Sequence, residues 1–346
     1  MSNEKILITA ALPYINNVPH MGHIVGSHLP ADIFYRYCIA KGYDAIFVGG
    51  SDEHGTPSTV AAQQLGLKPQ QLVDKLHQVH QLVYAKLQIS YKKYSRTSNP
   101  DHHKMVSDFF REIYQKGFIF KDNLEMFFCE RDQMFLPDRF VIGNCPYCQY
   151  DHANADQCEN CTRILLPNEL IHPKCHICNA VPVIKKSEHL YFSLEKFSKD
   201  LDQWIERQKN VWRSHVYSDA KKWINEGLKS RSITRDLSWG VPVPKEIGLE
   251  KVFYVWFDAP IGYMTFVKEL SKDKFEQYWK DSNAKIYHFL GKDNIPFHTI
   301  FWPAMLLAHG GLNLPFNVVG YHYLNYEHQK FSKRPRARST CRPRCR

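Results

Sequence analysis

Six of the ten cysteines stand in three Cys-x-x-Cys pairs inside one 34-residue window, from Cys145 to Cys178, and this limits what the chain can fold into more than any other feature. A Cys-x-x-Cys turn aims two thiolates at one point, and two such turns complete a tetrahedron around an ion. Cys145 and Cys148 match Cys158 and Cys161 after a gap of nine residues. This double knuckle predicts a structural zinc, closed by four thiolates and without an open position for a reacting water. The plain alternative is reduced core thiols. Cys175 and Cys178 lack a second such pair; the nearest thiol is Cys129, and Asp132 stands where a fourth ligand would lie. A second zinc on Cys129, Cys175 and Cys178 is therefore an open alternative. In a chain of 346 residues without an export signal, this spacing favours metal over disulfides.

The segment holding these pairs interrupts something else. Ile6, Leu7, Ile8 and Thr9 read as a short apolar strand, residues 24–41 as a helix bent or delayed by Pro30, and residues 45–48 as a second buried strand. Helical periodicity follows over residues 70–87 and 100–116. After the insertion, residues 183–192 return to strand and 193–229 to helices rich in Trp and Lys. A second alternation then predicts strands at 252–257, 286–290 and 316–319, with helices from about Pro260 and over about 295–308. The expectation is an α/β fold split by an insertion: residues 1–117, an insertion at 118–235 with its zinc part about 125–182, residues 236–329, and a loop and basic tail at 330–346.

Net charge suggests nucleic acid until it is divided by segment. Of the formal +10, residues 330–346 contribute eight Lys or Arg and no acid, which leaves +2 for the rest. The folded body is thus nearly neutral. No run approaches the roughly 18 apolar residues that span a bilayer, and the N-terminus has no basic stretch leading into an apolar one. A cytoplasmic protein without membrane contact is expected.

Three loops carry candidate chemistry. His20 and His23 stand where a helix should begin after the first strand, on one face of its first turn, where free N–H groups and the helix dipole suit a phosphate; Gly22 lets a ligand approach. Two surface histidines would look the same. Asp52, with His54, follows the second strand, at the edge where open parallel sheets bind ligands. Gly291, Lys292 and Asp293 follow a third strand, with the ribose hydroxyls suited to Asp293 and phosphate to Lys292. No single one is decisive, since polar loops are common.

Taken in order, these motifs resemble one family closely: the methionyl-tRNA synthetases, class I aminoacyl-tRNA synthetases. The residues that carry the likeness are Ala11-Leu12-Pro13-Tyr14 with His20-Met21-Gly22-His23, matching the HIGH signature; Asp52-Glu53-His54-Gly55-Thr56; the cysteine knuckles; Trp256-Phe257-Asp258-Ala259-Pro260-Ile261-Gly262-Tyr263; Gly291-Lys292-Asp293; and Lys330-Phe331-Ser332-Lys333, matching the KMSKS loop. The resemblance implies a Rossmann-type parallel sheet split by a zinc-binding connective insertion. It further implies ATP, with Mg2+, as substrate, L-methionine activated as methionyl-adenylate, and transfer to tRNA(Met) in protein biosynthesis.

By that likeness His20 and His23 hold the phosphates through the transition state, Lys333 with Lys330 meets pyrophosphate charge, and Arg235 faces the reacting carboxylate and α-phosphate. Gly291 and Asp293 match contacts to adenosine, and Lys292 lies near the phosphates. Ala11, Leu12, Tyr14, Trp256, Ala259, Pro260, Tyr263 and His298 match the methionine pocket, and Asp52 the acceptor for its ammonium group. Aromatic walls suit a polarisable thioether. Donors on Tyr263 and His298 would add only modest selectivity, because sulfur accepts weakly.

The chain departs from the family where Arg334 replaces a serine. Residues 334–346 hold six Arg, two Pro and two Cys with no hydrophobic period, and the helical anticodon-binding domain that the resemblance implies is expected to be absent. The expectation is a chain truncated or out of frame past Lys333, impaired in adenylation and more so in transfer to tRNA; a genuine RNA-binding tail is the rival. Another class I synthetase and a non-catalytic RNA-binding relic are the competing functions. A nicotinamide oxidoreductase is disfavoured, because no G-x-G-x-x-G follows the first strand.

Overall fold

The computed structural model describes residues 4–137, 140–155, 158, 160–161, 165, 169–326 and 329–330. In chain order the elements used below are β1 (Lys5–Ala10), α1 (Leu29–Ala40), β2 (Asp44–Ser51), α2 (Pro69–Lys86), β3 (Lys93–Arg96), α3 (Pro100–Gln115), β4 (Ile119–Cys129), β5 (Val183–Phe192), α4 (Gly262–Leu270), β6 (Lys285–Gly291), α5 (Trp302–His309) and β7 (Asn317–Tyr321). Five strands form one parallel sheet in the order β7-β6-β1-β2-β3. Successive side chains of a strand point to opposite faces. Ile6, Ile8 and Ala10 accordingly enter a core with Tyr35, Cys38 and Tyr84, whereas Leu7 enters the other with Phe109, Phe266 and Met305. A sheet buried on both faces must be covered by helices on both, and α1 and α2 take one face while α3, α4 and α5 take the other. Gly50 in β2 is required by this packing: a Cβ there would stand 2.5 Å from the Phe266 ring.

β1 and its partners β2 and β6 make the sheet's central crevice. The chain leaves β1 toward β2 and returns to β6 on the other side, so the loops after these strands diverge and open a cleft at their C-terminal ends. The insertion leaves after α3 as β4 and returns as β5, antiparallel and in register from Ile119↔Phe192 to Phe128↔Val183. Beyond this ribbon a three-stranded sheet carries the cysteines. No helix among the described residues is long and apolar enough to cross a membrane.

Three expected elements differ. The helix near residue 24 begins at Met21 and passes through a π turn, Ile24–His28, before α1. Pro30 has no N–H and its ring crowds the preceding turn, and the wider turn absorbs both. The strand expected at 252–257 ends at Phe253; Val255–Asp258 is a helical turn. A short apolar run does not distinguish the two periods, and here Phe253 and Phe257, four apart, enter the same core. The third helix differs likewise, as a π turn at Phe297–Phe301 before α5. β3 was not expected, since Lys93, Tyr94, Ser95 and Arg96 form a polar edge strand without an apolar pattern.

Candidate active site

The loop after β1 lies over the sheet edge because Ala11 N–H donates to Phe289 (2.8 Å), Asp52 N–H to the Pro13 carbonyl (3.0 Å) and Ile15 N–H to the Asp52 carbonyl (2.9 Å). It floors a cavity of 420 Å³. All nine residues expected around methionine line it: Ala11, Leu12, Tyr14, Asp52, Trp256, Ala259, Pro260, Tyr263 and His298. His20, His23, Gly291 and Asp293 line it too. Lys292 is not among its lining residues, and Arg235 lines the neighbouring cavity, where its guanidinium donates to the Thr234 carbonyl (2.7 Å) and lies 3.8 Å over the Tyr254 ring. The backbone of Lys330 belongs to a short strand pair with Asn325, and Lys333 lies outside the described residues.

The histidine pair is built as a helix cap. Gly22 N–H donates to His20 Nδ1 (3.1 Å) and His20 N–H to His23 Nδ1 (3.3 Å), with the rings stacked 3.8 Å apart. A ring nitrogen that accepts from the backbone carries no proton, so in the neutral imidazole the hydrogen sits on Nε2. Local hydrogen bonding thus fixes both tautomers with the donor away from the helix end. Gly22 is needed for a reason beyond ligand access: a Cβ would meet the His20 ring at 2.9 Å.

The opposite end is acidic and buried. Asp52 is 4% exposed, and its Oδ1 is buried without a hydrogen-bond partner. Burial, and then the charge of Asp258, hold its carboxyl well above the ordinary range. Burial does the same to Asp258, which His54 Nδ1 meets at 2.9 Å. Burial also keeps His54 neutral, pushed down to about 4. Glu53 points away from the cavity and ties the loop to β3 through Arg96 Nε (2.9 Å), while its carbonyl accepts from Trp239 Nε1 (2.7 Å).

Tyr263 and His298 are spoken for. His298 Nδ1 lies 2.9 Å from the Asn294 carbonyl, which can only accept, so Nδ1 bears the proton and Nε2 is an acceptor. The Tyr263 hydroxyl, 2.9 Å from Nε2, must donate there. Burial, which lowers His298 to about 4, keeps it from carrying a second proton near neutrality. Neither side chain is a spare donor for sulfur, contrary to the sequence reading. The pair instead fixes the shape of an aromatic wall.

Asn294, Phe297, His322 and Tyr323 also line the cavity. Phe297 stacks on Trp256 at 3.6 Å and 5° between planes. His322 and Tyr323 follow β7, and the Tyr323 hydroxyl donates to the Asp293 carboxylate. The rule that places ligands at the C-terminal edge of a parallel sheet could have found both, had it been applied to the last strand.

Both cysteine clusters assemble. The ligand atoms of Cys145, Cys148, Cys158 and Cys161 lie within 4.8 Å of one another, as do those of Cys129, Asp132, Cys175 and Cys178. Sulfurs at roughly 2.3 Å from a tetrahedral ion stand about 3.8 Å apart; Cys145 to Cys161 is 3.8 Å and Cys148 to Cys158 is 3.5 Å. In the second cluster Cys129 and Cys178 are 3.4 Å apart, and Asp132 Oδ2 lies 3.1 Å from Cys129 and 3.2 Å from Cys175. Gln149, Asn179 and Gln133 each take positive φ directly after Cys148, Cys178 and Asp132. The turn from Cys129 to Asp132 is thus a knuckle of the same backbone shape, with a carboxylate in the second thiolate's place.

The model for "tRNA synthetases class I (M)" matches residues 6–338, which reaches five residues past Lys333. A methionine–tRNA ligase of Bacteroides fragilis is 45% identical over 95% of this chain and 48% of its own length, and that of Ignicoccus hospitalis 45% identical over 96% and 60%. The cytoplasmic methionine–tRNA ligase of Xenopus laevis is 43% identical over 95% of this chain and 37% of its own length. Among solved structures, Mycobacterium tuberculosis methionyl-tRNA synthetase bound by methionyl-adenylate superposes with a TM-score of 0.71 at 25% identity, over 93% of this chain and 58% of that one. The chain therefore spans about half the length of the bacterial relatives it matches. With the crevice, the histidine cap and the inserted cysteine module all in place, the chain belongs to the class I tRNA synthetases (M), the methionyl-tRNA synthetase family.

Proposed function

We propose that this chain activates L-methionine with ATP to methionyl-adenylate, and that the activated methionine is passed to tRNA(Met). The observation that carries this reading is the single 420 Å³ cavity with the His20–His23 cap on one wall and Asp52, Tyr263 and His298 on another. Methionine would lie with its ammonium on the unpartnered Asp52 oxygen, a charge-assisted bond that would return the buried carboxyl to its ionised form. Its thioether would rest among Leu12, Trp256, Tyr263 and His298, where aromatic faces favour a polarisable sulfur. ATP would present its ribose to Asp293 and its phosphates to the two Nε2–H donors. The carboxylate oxygen then attacks the α-phosphorus, and pyrophosphate leaves with the bonding electrons. Protein groups need only position and stabilise charge in such a transfer. Lys330 and Lys333 are assigned to pyrophosphate by the resemblance alone; Arg235 would have to swing out of the neighbouring cavity to meet the α-phosphate.

Zinc fits both cysteine clusters by donor type and spacing, and when bound it would supply folding energy to the insertion rather than chemistry. Cys145, Cys148, Cys158 and Cys161 would hold one ion, and Cys129, Asp132, Cys175 and Cys178 a second.

The test is amino-acid-dependent exchange of labelled pyrophosphate into ATP. Exchange stimulated by methionine supports the reading; stimulation by leucine or isoleucine in its place, or by no amino acid, defeats it.

A further inference from the structure

Helix α2 contributes no residue to the active-site cavity, yet it is bonded to both walls of it. Of the five residues that α2 buries, Leu72 and Val73 are apolar, whereas His77, His80 and Tyr84 carry polar tips. A helix that only covered a sheet would bury apolar groups there, since a polar group taken out of water costs free energy unless it is bonded. Spaced by three and four residues, the polar three share one helix face.

Two of them grip the histidine cap from either side. His80 Nε2 lies 2.9 Å from the carbonyl of Asn17, three residues before His20; a carbonyl only accepts, so Nε2 bears the hydrogen. The Tyr84 hydroxyl lies 3.0 Å from Nε2 of His28, which closes the π turn five residues after His23. The third grips the loop of Asp52. The Ser51 hydroxyl gives its one hydrogen to the Glu53 carboxylate (2.8 Å), so His77 Nδ1, 2.7 Å away, donates to the hydroxyl oxygen. Burial, and then the charge of Arg96, push His77 down to about 4, which keeps the ring neutral. Asp74 of the same helix holds Arg96 at 2.7 Å, and Arg96 holds Glu53 Oε2 at 2.8 Å. Glu53 is fully buried and adjoins Asp52 in the chain, so what fixes the one fixes the other.

We propose that His80 and His77 are positioning residues for the reaction: His80 sets the donors of His20 and His23 against the phosphates, and His77 sets Asp52 against the substrate ammonium. The inference rests on the proposed activity, which requires the reacting atoms of two substrates to be brought into contact. Both sets of binding groups sit on loops or a loop-fed helix end, which are less exact supports than a regular element. One continuous helix of 18 residues, bonded to each, holds the two walls at a fixed separation. That separation decides whether the attacking carboxylate meets the α-phosphorus in line.

The two histidines donate through different ring nitrogens, so each has its own conservative replacement. Gln carries its amide nitrogen to where Nε2 stood, and Asn to where Nδ1 stood. His80→Asn should lower the turnover of methionine-dependent pyrophosphate exchange about 10–100-fold, the scale of a misplacement near 1 Å, with KM for methionine within about twofold of the parent. His80→Gln should restore the turnover. His77→Gln should raise KM for methionine about tenfold, as expected when a charge-assisted bond is misaligned, and His77→Asn should restore it. Asp74→Ala, at a half-exposed position outside the core, should raise the same KM by a smaller factor. Amide hydrogen exchange, read by NMR on the same chains, needs no activity. His80→Asn should speed it about tenfold at Gly22 and His23, and His77→Gln about tenfold at Asp52, neither disturbing the other's site. A scaffold role alone would make Gln and Asn equivalent at both positions and move KM, turnover and melting temperature together; that result would overturn the inference. A parent chain without pyrophosphate exchange would count against the proposed activity and leave the amide rates to decide the positioning.

Discussion

In and directly behind the cleft, Asp52, His54, Asp258 and His298 are each at most 4% exposed and arrive from three separate stretches of chain. In the cysteine module, four ligands come from residues 145–161, and Cys148, Cys161 and Cys178 remain half-buried. The cleft holds polar groups in place by the packing of a large sheet, and burial there keeps His54 and His298 neutral. The module has a small core of its own, around Phe127, Leu136, Phe140 and Val141, and brings thiols together at the distances of an ion's coordination shell. One region is organised by burial and the other is arranged for ligation, so each should fail under a different stress.

Chelation should separate them most. Structural zinc contributes about 10–16 kcal/mol of apparent binding energy in small domains, far more than the module's own core can replace. With EDTA or a stronger chelator at neutral pH, hydrogen exchange should accelerate across residues 141–178 while the amides of β1 and β2 stay protected. Protection lost or kept equally in both regions would show that the two are not separately held. The carboxylate cluster should yield its ion first, and Asp132→Cys should slow that release.

Removing the histidine donors should cost activity without stability. His20→Ala or His23→Ala takes away one preorganised donor, and losses of about 10²–10³ in the exchange rate are usual for such groups. The melting temperature should move little, because both side chains lie at the cavity surface and cap only one helix turn. A variant that melts early and keeps its exchange rate would place the pair in the scaffold.

Acid should strike the cleft. His54 and His298 are held at about 4 in the fold by burial, against 6.5 ordinarily. As pH falls below 6.5 the unfolded chain takes up these protons first, so stability is full above that value and is lost as pH falls toward 4. Each histidine can contribute up to about 3 kcal/mol to that loss. Urea midpoints across this window should fall steadily, and His298→Gln should flatten the curve.

The smallest effect should come from Tyr263→Phe. Its hydroxyl donates to His298, so deletion leaves the thioether's surroundings nearly intact and exposes one unpaired imidazole nitrogen. Discrimination between methionine and norleucine should change by less than about tenfold, the scale of one weak contact. A larger change would restore Tyr263 as a direct donor to sulfur.

What the sequence made legible was short in range. Cys-x-x-Cys spacing named one cluster outright, and His-x-x-His marked a helix start, though not that the two side chains cap it. Cys129, as the nearest thiol, and Asp132 stood as open candidates beside Cys175 and Cys178, and the turn after Asp132 explains why the four atoms come together. The parallel sheet was legible from buried runs such as Ile6 to Ile8, yet β3 was not, because an edge strand can be polar. Trp256 looked like strand and is helix, since aromatic runs fit either period. The side-chain directions at Tyr263 and His298 depend on the Asn294 carbonyl, a backbone contact that no residue spacing encodes. Arg235 reached its neighbouring cavity by the same kind of contact, with Thr234 and Tyr254.

Pyrophosphate exchange with this chain tests the central claim most directly. The cleft's geometry predicts labelled pyrophosphate entering ATP when methionine is present, with His23→Ala reducing the rate by about 10²–10³. Exchange driven best by leucine or isoleucine, or methionine-driven exchange that His23→Ala leaves untouched, would contradict it.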